Sequence, residues 1–301
     1  MQLELSAPVD CIGDFTYNFY WQHRGSKLEP TDRIPHQEGS VYTYRDIVDG
    51  LKRGETIYVN GDVGHRLCSS LGVDLHFFSG TGASIPVGDV VVDGNVDTRM
   101  GISMISGAIY VAGAVKAPIG NVIEVESDRA GYRKYRSITE VVCTGLGDDQ
   151  LVPPNVLSDT QLVVSDARVR DTVGARCTCD ARICIQGDVD LSTGILMRDG
   201  TVIVTGSAGM NSGALLNGGT VIVRGDAGEF AGIDMKSGTL TIGGTPRGYL
   251  GANKRGGTIY ARGAKALPPA QALAVTGNDI GLISKHLGIS QIEAMMFKKF
   301  V

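Results

Sequence analysis

Five glycines set at one interval constrain this chain more than any other feature. Gly187, Gly206, Gly225, Gly244 and Gly263 stand 19 residues apart, and each of the four intervals holds two further glycines at fixed offsets. The second comes seven residues after the first (Gly194, Gly213, Gly232, Gly251) and the third six residues later (Gly200, Gly219, Gly238, Gly257). A period of that size, with no helical apolar spacing inside it, predicts a solenoid in which each coil buries its apolar side against its neighbours. Three glycines per coil predict three corners, because glycine reaches positive φ without a Cβ clash.

The side after the third glycine reads as a strand: Thr201–Val204, Thr220–Val223, Thr239–Ile242 and Thr258–Ala261. Val202, Val204, Val221, Val223, Leu240, Ile242, Ile259 and Ala261 share one parity and are expected inside. Ile203, Ile222, Thr241 and Tyr260 have the other parity and are expected to face outward. An outward row of that composition asks for a cover, either a terminal segment of the chain or another subunit. The fold class expected is therefore all-β, a parallel β-helix of 19-residue coils with a short helical C-terminal segment.

The pattern divides the chain. Residues 1–53 lack the period and read as an N-terminal cap with an opening strand, a long loop around the aromatic run from Phe15 to Trp21, and a short helix near Tyr44–Lys52. Residues 54–264 read as the solenoid, about nine coils. Its first coil is degenerate between Gly61 and Gly80, and the spacing is clean at Gly94, Gly101, Gly107, Gly113 and Gly120. An excursion is expected over about 121–160. Residues 265–301 read as a helical tail, with a helix over 279–286 stopped at Gly288 and a Ser290/Glu293 capping box.

Glycine, 42 of 301 residues, sits at architectural positions and so does not indicate disorder; the net charge of −4, without a long basic run, argues against nucleic acid as a partner. The start of the chain has no signal-like h-region and no long apolar run, which predicts a cytoplasmic protein with no membrane association. Six irregularly spaced cysteines suggest reduced thiols.

Few residues suggest chemistry. His23, His36, His65, His76 and His286 show no zinc spacing. Cys177, Cys179 and Cys184 cluster locally but supply three ligands where structural zinc and iron–sulfur sites use four. Gly206–Gly209 and Gly225–Gly228 imitate phosphate loops without the lysine–serine pair. Asp188 and Asp226 read as turn residues bonding nearby amides, not as calcium ligands. No catalytic, cofactor-binding or metal residue is therefore assigned. The stretch 129–136, with Tyr132, Arg133, Tyr135 and Arg136, has a contact-like composition. Together with Tyr110, Ile203, Ile222, Tyr260 and the tail residues Met295, Met296 and Phe297, it forms the expected interface.

The corner glycines Gly94, Gly101 and Gly107, and Gly187, Gly194 and Gly200 with their echoes through Gly257, resemble the GXGXG-domain family. That family includes the C-terminal domain of the glutamate synthase large subunit and the GXGXG-bearing subunit of formylmethanofuran dehydrogenase. The segments Asn121–Asp128 and Glu293–Phe297, and the chain length, point to the latter. The resemblance implies a right-handed parallel β-helix acting as a non-catalytic scaffold in a complex that reduces CO2 and forms N-formylmethanofuran in methanogenesis. It also implies partners: a molybdenum or tungsten pterin subunit, an amidohydrolase-like subunit with a dinuclear metal site, and ferredoxin-type subunits with iron–sulfur clusters. The alternative is the corresponding subunit of a formyltransferase/hydrolase complex, in which the same scaffold supports hydrolysis without redox chemistry.

Overall fold

The structure, a computed structural model, describes residues 1–17, 29–75, 79–159 and 161–301. His23, His76 and the run from Asn18 to Trp21 lie outside the described residues. The chain forms a parallel β-solenoid of about nine turns and divides into two compact units, Met1–Val152 and Pro153–Val301. The first holds β1 (Gln2–Leu5), β2 (Gln37–Glu38), α1 (Tyr44–Lys52), β3 (Ile57–Asn60), β4 (Val90–Asp93), β5 (Ala108–Val111), β6 (Val122–Val125), β7 (Arg133–Ser137) and α2 (Ile138–Thr144). The second begins with β8 (Val156–Ser158), β9 (Gln161–Val164), β10 (Arg182–Ile185), β11 (Thr201–Val204), β12 (Asn217–Val223) and β13 (Ser237–Ile242). It continues with β14 (Tyr249–Leu250), β15 (Thr258–Ala261), β16 (Lys265–Ala266), β17 (Ala272–Ala274), α3 (Gly277–Leu287), α4 (Gln291–Ala294) and β18 (Lys298–Phe300).

Strand parity places the core. In the first unit β1, β3, β4 and β5 pair in parallel, aligning Leu3, Val59, Val92 and Val111 in one buried inward row. In the second, β9 to β13 and β15 pair in parallel, and Leu162, Ile183, Val202, Val221, Leu240 and Ile259 align in the same way. Each such fully buried side chain contributes about 1.5–3 kcal/mol. Each coil draws this only from the coils above and below it, the condition that the 19-residue period imposes.

The non-repeating start also joins the stack. β1 pairs in parallel with β3, a bridge joins Val9 to Val63, and the Cys11 amide donates to the His65 carbonyl. Residues of the N-terminal segment therefore form a rung without the glycine spacing. α1 lies where the sequence puts it, opened by Thr43 and Asp46 in a reciprocal capping box.

Glycine serves two physical purposes in the coils. The second and third glycines of each coil, such as Gly194 and Gly200 or Gly213 and Gly219, have positive φ, as expected of corners. Gly94, Gly206, Gly225 and Gly244 lie at bends without positive φ, although Gly187 and Gly263 in the same position have it, so the left-handed region is not what the first corner requires. There the requirement is close stacking: the Gly206 amide bonds the Gly187 carbonyl at 3.0 Å, and a Cβ on Gly206 would come within 2.7 Å of that carbonyl group. Gly225 and Gly244 repeat the contact one and two coils on.

The second corner is a longer device than one glycine. Thr172, Gly174 and Arg176 all have positive φ, as do Ser192, Gly194 and Leu196, then Asn211, Gly213 and Leu215, then Phe230, Gly232 and Asp234. Alternate residues thus enter the left-handed region, and only the middle one is glycine. A Cβ at Gly194 would sit 2.4 Å from Val221 Cγ2, and one at Gly232 would sit 2.4 Å from Ile259 Cδ1. The middle residue faces the packed interior, so glycine there is required by space as well as by φ.

Parallel stacks expose strand edges, and both units end theirs with antiparallel strands. In the first, β2 lies antiparallel to β1 at one end, while β7 lies antiparallel to β5 and to β6 at the other. In the second, β8 lies antiparallel to β9, and β18 to β15 and β17. Terminating a stack in this way limits its continuation by another chain. The excursion expected over about 121–160 supplies β6, β7, α2 and β8. Among the described residues no helix is long and apolar enough to cross a membrane.

Candidate interaction surface

The outward row of the second unit acquires its cover from the same chain. Tyr260 is buried with Ile283, Ala294 and Phe297, and Val275, Ile280, Leu287 and Ile289 pack around them. α3 opens at Thr276 with an Asp279 capping box and ends at Gly288 in the left-handed conformation, and Ser290 with Glu293 caps α4. The Tyr260 hydroxyl donates to Asp279 Oδ1 at 2.6 Å, and Lys299 Nζ donates to the same oxygen at 3.1 Å. The amide and hydroxyl of Thr276 donate to Asp279 Oδ2 at 2.8 and 2.7 Å. Burial pushes the Asp279 carboxyl up, but these bonds outweigh it and hold the group well below the usual carboxylate range. One carboxylate therefore closes the helix start, satisfies a buried phenol and fixes the tail to the sheet. Thr241 Oγ1 meets His286 Nδ1 at 2.8 Å one rung further along.

The expected interface residues separate accordingly. Tyr260, Phe297, Ile203 and Ile222 are buried within the chain, whereas Met295 and Met296 are 61% and 71% exposed. These methionines border an open apolar depression of about 510 Å³ lined by Ala272–Val275, Ile280, Phe297 and Lys298. Leu273 is 47% exposed beside it, and β17, which carries Leu273, ends the sheet with all three residues exposed.

The stretch 129–136 is not a free arm. Its residues Arg133–Ser137 form β7, and Tyr135 is fully buried in the core of the first unit, which removes it from the expected contact set. Arg133 Nη2 donates to the Gly113 carbonyl at 3.0 Å. Arg136 Nη1 reaches the Leu146 carbonyl and Asp149 Oδ2 at 2.8 and 3.0 Å, and its Nη2 lies 3.1 Å from Glu140 Oε2. Tyr132 packs against Val91, Ala108 and Tyr110 on the outward face. The Arg129 guanidinium covers the Tyr110 ring at 4.7 Å, and the Tyr110 hydroxyl donates to Asp128 Oδ1 at 2.9 Å. Polar and aromatic groups that looked available for a partner are engaged with one another.

Asp188 and Asp226 bond amides as expected, but on the next coil: Asp188 Oδ1 accepts from the Ser207 amide and Asp226 Oδ1 from the Thr245 amide, at 2.7 and 2.8 Å. Cys11, Cys68, Cys177 and Cys184 are thiols outside any disulfide, and the Cys177 sulfur lies 3.7 Å from that of Cys179. Cys143 and Cys179 are disulfide sulfurs, which corrects the expectation of six reduced thiols. Burial pushes the Cys177 thiol up, so it is a poor nucleophile near neutral pH.

No family model matches the chain. It is 56% identical over 203 residues to an uncharacterized protein of Methanothermobacter thermautotrophicus strain Delta H; the match covers 67% of this chain and 64% of that protein. A chain of the formyltransferase/hydrolase complex of Methylorubrum extorquens, solved with methylofuran, aligns over 98% of this chain and 91% of its own length. The identity is 18% and the TM-score 0.33, a level of similarity that carries no argument about activity.

Proposed function

We propose that this chain is a structural component of a C1-transfer assembly of the formylmethanofuran dehydrogenase kind, built from several different subunits. Its stack holds partner subunits together, and the chemistry resides in them. The observation that carries the reading is the apolar tail surface: Met295, Met296 and Leu273 exposed around one depression, beside a sheet-end strand. Clustered exposed apolar side chains of this kind mark a contact surface. The glycine spacing and the segments Asn121–Asp128 and Glu293–Phe297 supply the family direction. In this reading the molybdenum or tungsten pterin, the iron–sulfur clusters and the dinuclear metal site belong to the partner subunits.

The test is anoxic affinity purification of the chain from its native cells, with subunit identification and metal analysis. Recovery with molybdenum or tungsten and iron supports the dehydrogenase complex. Recovery with zinc and a formyltransferase, without a pterin metal, moves the chain to the hydrolase complex. A chain recovered alone and metal-free overturns the scaffold reading. Met295→Asp with Met296→Asp is expected to reduce partner recovery at least tenfold while leaving the fold intact.

A further inference from the structure

The first residue of each strand in the second unit's parallel sheet lies in one register: Gln161, Arg182, Thr201, Thr220, Thr239 and Thr258. Four coils place threonine there, and β10 places an arginine. Its parity matches Cys184, Ile203 and Ile222, so the row lies on the outward face. The C-terminal end of α3 bounds the same region, and the two together form an open groove of about 410 Å³. Gln161, Asp180, Arg182, Thr201, Thr220, Ile222, Lys285 and His286 line it.

The polar groups of this groove are mostly donors. Arg182 offers a guanidinium, Lys285 an ammonium, Gln161 an amide, and Thr201 and Thr220 hydroxyls. The Nδ1 atom of His286 is occupied by Thr241. Among the described residues neither Arg182 nor Lys285 forms an ion pair or a side-chain hydrogen bond, although Asp180 lines the same groove. Both cations line the groove beside His286, and burial, aided by the charges of Lys285 and Arg182, pushes the His286 imidazole below its ordinary value.

Lysine and histidine in a last helical turn are explained by the helix dipole alone. Arg182 is not on a helix, and it stands in the threonine row on the face that the basic helix end reaches. A guanidinium presents paired N–H groups to a carboxylate or phosphate, and the adjacent hydroxyls and ammonium can complete the coordination of an oxyanion. We propose that this groove is a binding site for a small di- or trianion bearing phosphate or carboxylate groups. Arg182 is the bidentate anchor, Lys285 the second charge, and Thr201 and Thr220 the hydroxyl donors. The site stands apart from the apolar tail surface and does not depend on the scaffold reading.

The test is isothermal titration of the full chain with pyrophosphate and, separately, with citrate, alongside NMR observation of the His286 ring protons. One-to-one binding by either anion, with a His286 shift that saturates together with the heat, is the expected result; which anion binds more tightly separates phosphate from carboxylate recognition. Arg182→Gln is expected to weaken binding at least tenfold and Arg182→Lys less, because the lysine keeps the charge and loses the fork. Asp180→Asn is expected to tighten binding by removing the opposing charge. Asp180, Arg182 and Lys285 are exposed, and an unchanged melting temperature confirms that the fold is kept. Absence of heat and of a His286 shift with both anions at 10-fold the protein concentration and above, up to about 10 mM (a Kd near 1 mM is only about 4 kcal/mol), overturns the proposal. Binding that is undiminished in Arg182→Gln with Lys285→Gln overturns it as well.

Discussion

Asp279→Ala removes a carboxylate that joins the α3 start and the tail strand to the sheet. In the native protein its two oxygens accept from Tyr260, Lys299, the Thr276 amide and the Thr276 hydroxyl. After the change the Tyr260 hydroxyl, on a residue only 4% exposed, has lost its acceptor. Leaving a buried donor unpaired costs about 1–3 kcal/mol, and losing the capping-box half adds about 0.5–1 kcal/mol. The expected loss is thus roughly 1.5–4 kcal/mol, or about 3–16 °C in melting temperature for a unit of this size. Tyr260→Phe deletes the donor itself and leaves Asp279 three partners, so it is expected to cost about 1 kcal/mol. Calorimetry measures the loss and hydrogen exchange localises it, with faster exchange across α3 and α4 expected in Asp279→Ala. The pH dependence has a definite sign. A carboxyl held below its unfolded pKa, about 3.9, stabilises the protein above that pH and loses the contribution as pH falls toward the folded value. The difference between wild type and Asp279→Ala is therefore expected to be full at neutral pH and to shrink below about pH 4. An Asp279→Ala protein within about 0.5 kcal/mol of wild type, or one whose α3 amides keep their protection, would refute the anchoring argument.

Further tests reach other parts of the fold. Arg170 is buried and bonds both oxygens of Asp166, Nη1 at 2.7 Å and Nη2 at 2.5 Å. Arg170→Met takes the cation from that carboxylate, which keeps the Asn155 side-chain amide and the Arg168 backbone amide as donors, and urea unfolding is expected to show a loss of about 3 kcal/mol, the lower end for a broken buried pair. Gly218 and Gly187 separate space from backbone conformation. A Cβ at Gly218 would come 2.0 Å from the Arg198 carbonyl oxygen, whereas Gly187, also at positive φ, has nothing within 4 Å. Gly187→Ala is expected to cost about 1 kcal/mol, and Gly218→Ala clearly more, by the same unfolding measurement. His286 is expected to titrate below the ordinary histidine value by NMR, and Lys285→Gln to move it upward.

The sequence revealed the stack through its periodicity. Inward and outward parity followed from the strands of β-branched residues, and the cover over Tyr260 followed from an outward row too apolar to leave in water. The capping residues Ser290 and Glu293 and the stop at Gly288 were readable because helix ends have local chemistry. Other features left no local trace. β1 has no corner glycine, so nothing in Gln2–Leu5 distinguishes a rung from a loose terminal strand. Leu196 and Leu215 adopt left-handed φ because neighbouring coils hold them there, and leucine carries no signal for that conformation. Tyr135 and Arg136 sit in a basic, aromatic stretch typical of contacts, yet hairpin register sends one inward and pairs the other with Asp149 and Glu140. The groove at Arg182 left no local trace either, because it depends on a helix about one hundred residues later arriving over one odd member of a threonine row.

The strand register bears on how such a chain can change over evolutionary time. Thr201 pairs with Thr220 and Thr220 with Thr239, a step of 19 residues, yet Ile57 pairs with Val90 across 33 and Gln161 with Arg182 across 21. Additional residues have been accommodated between rungs without displacing the alignment of either strand. Connecting segments of different length are therefore compatible with one strand alignment, whereas a change within a rung shifts every pairing along it. Segments between rungs are free to diverge and acquire new contacts, while the rungs themselves keep count.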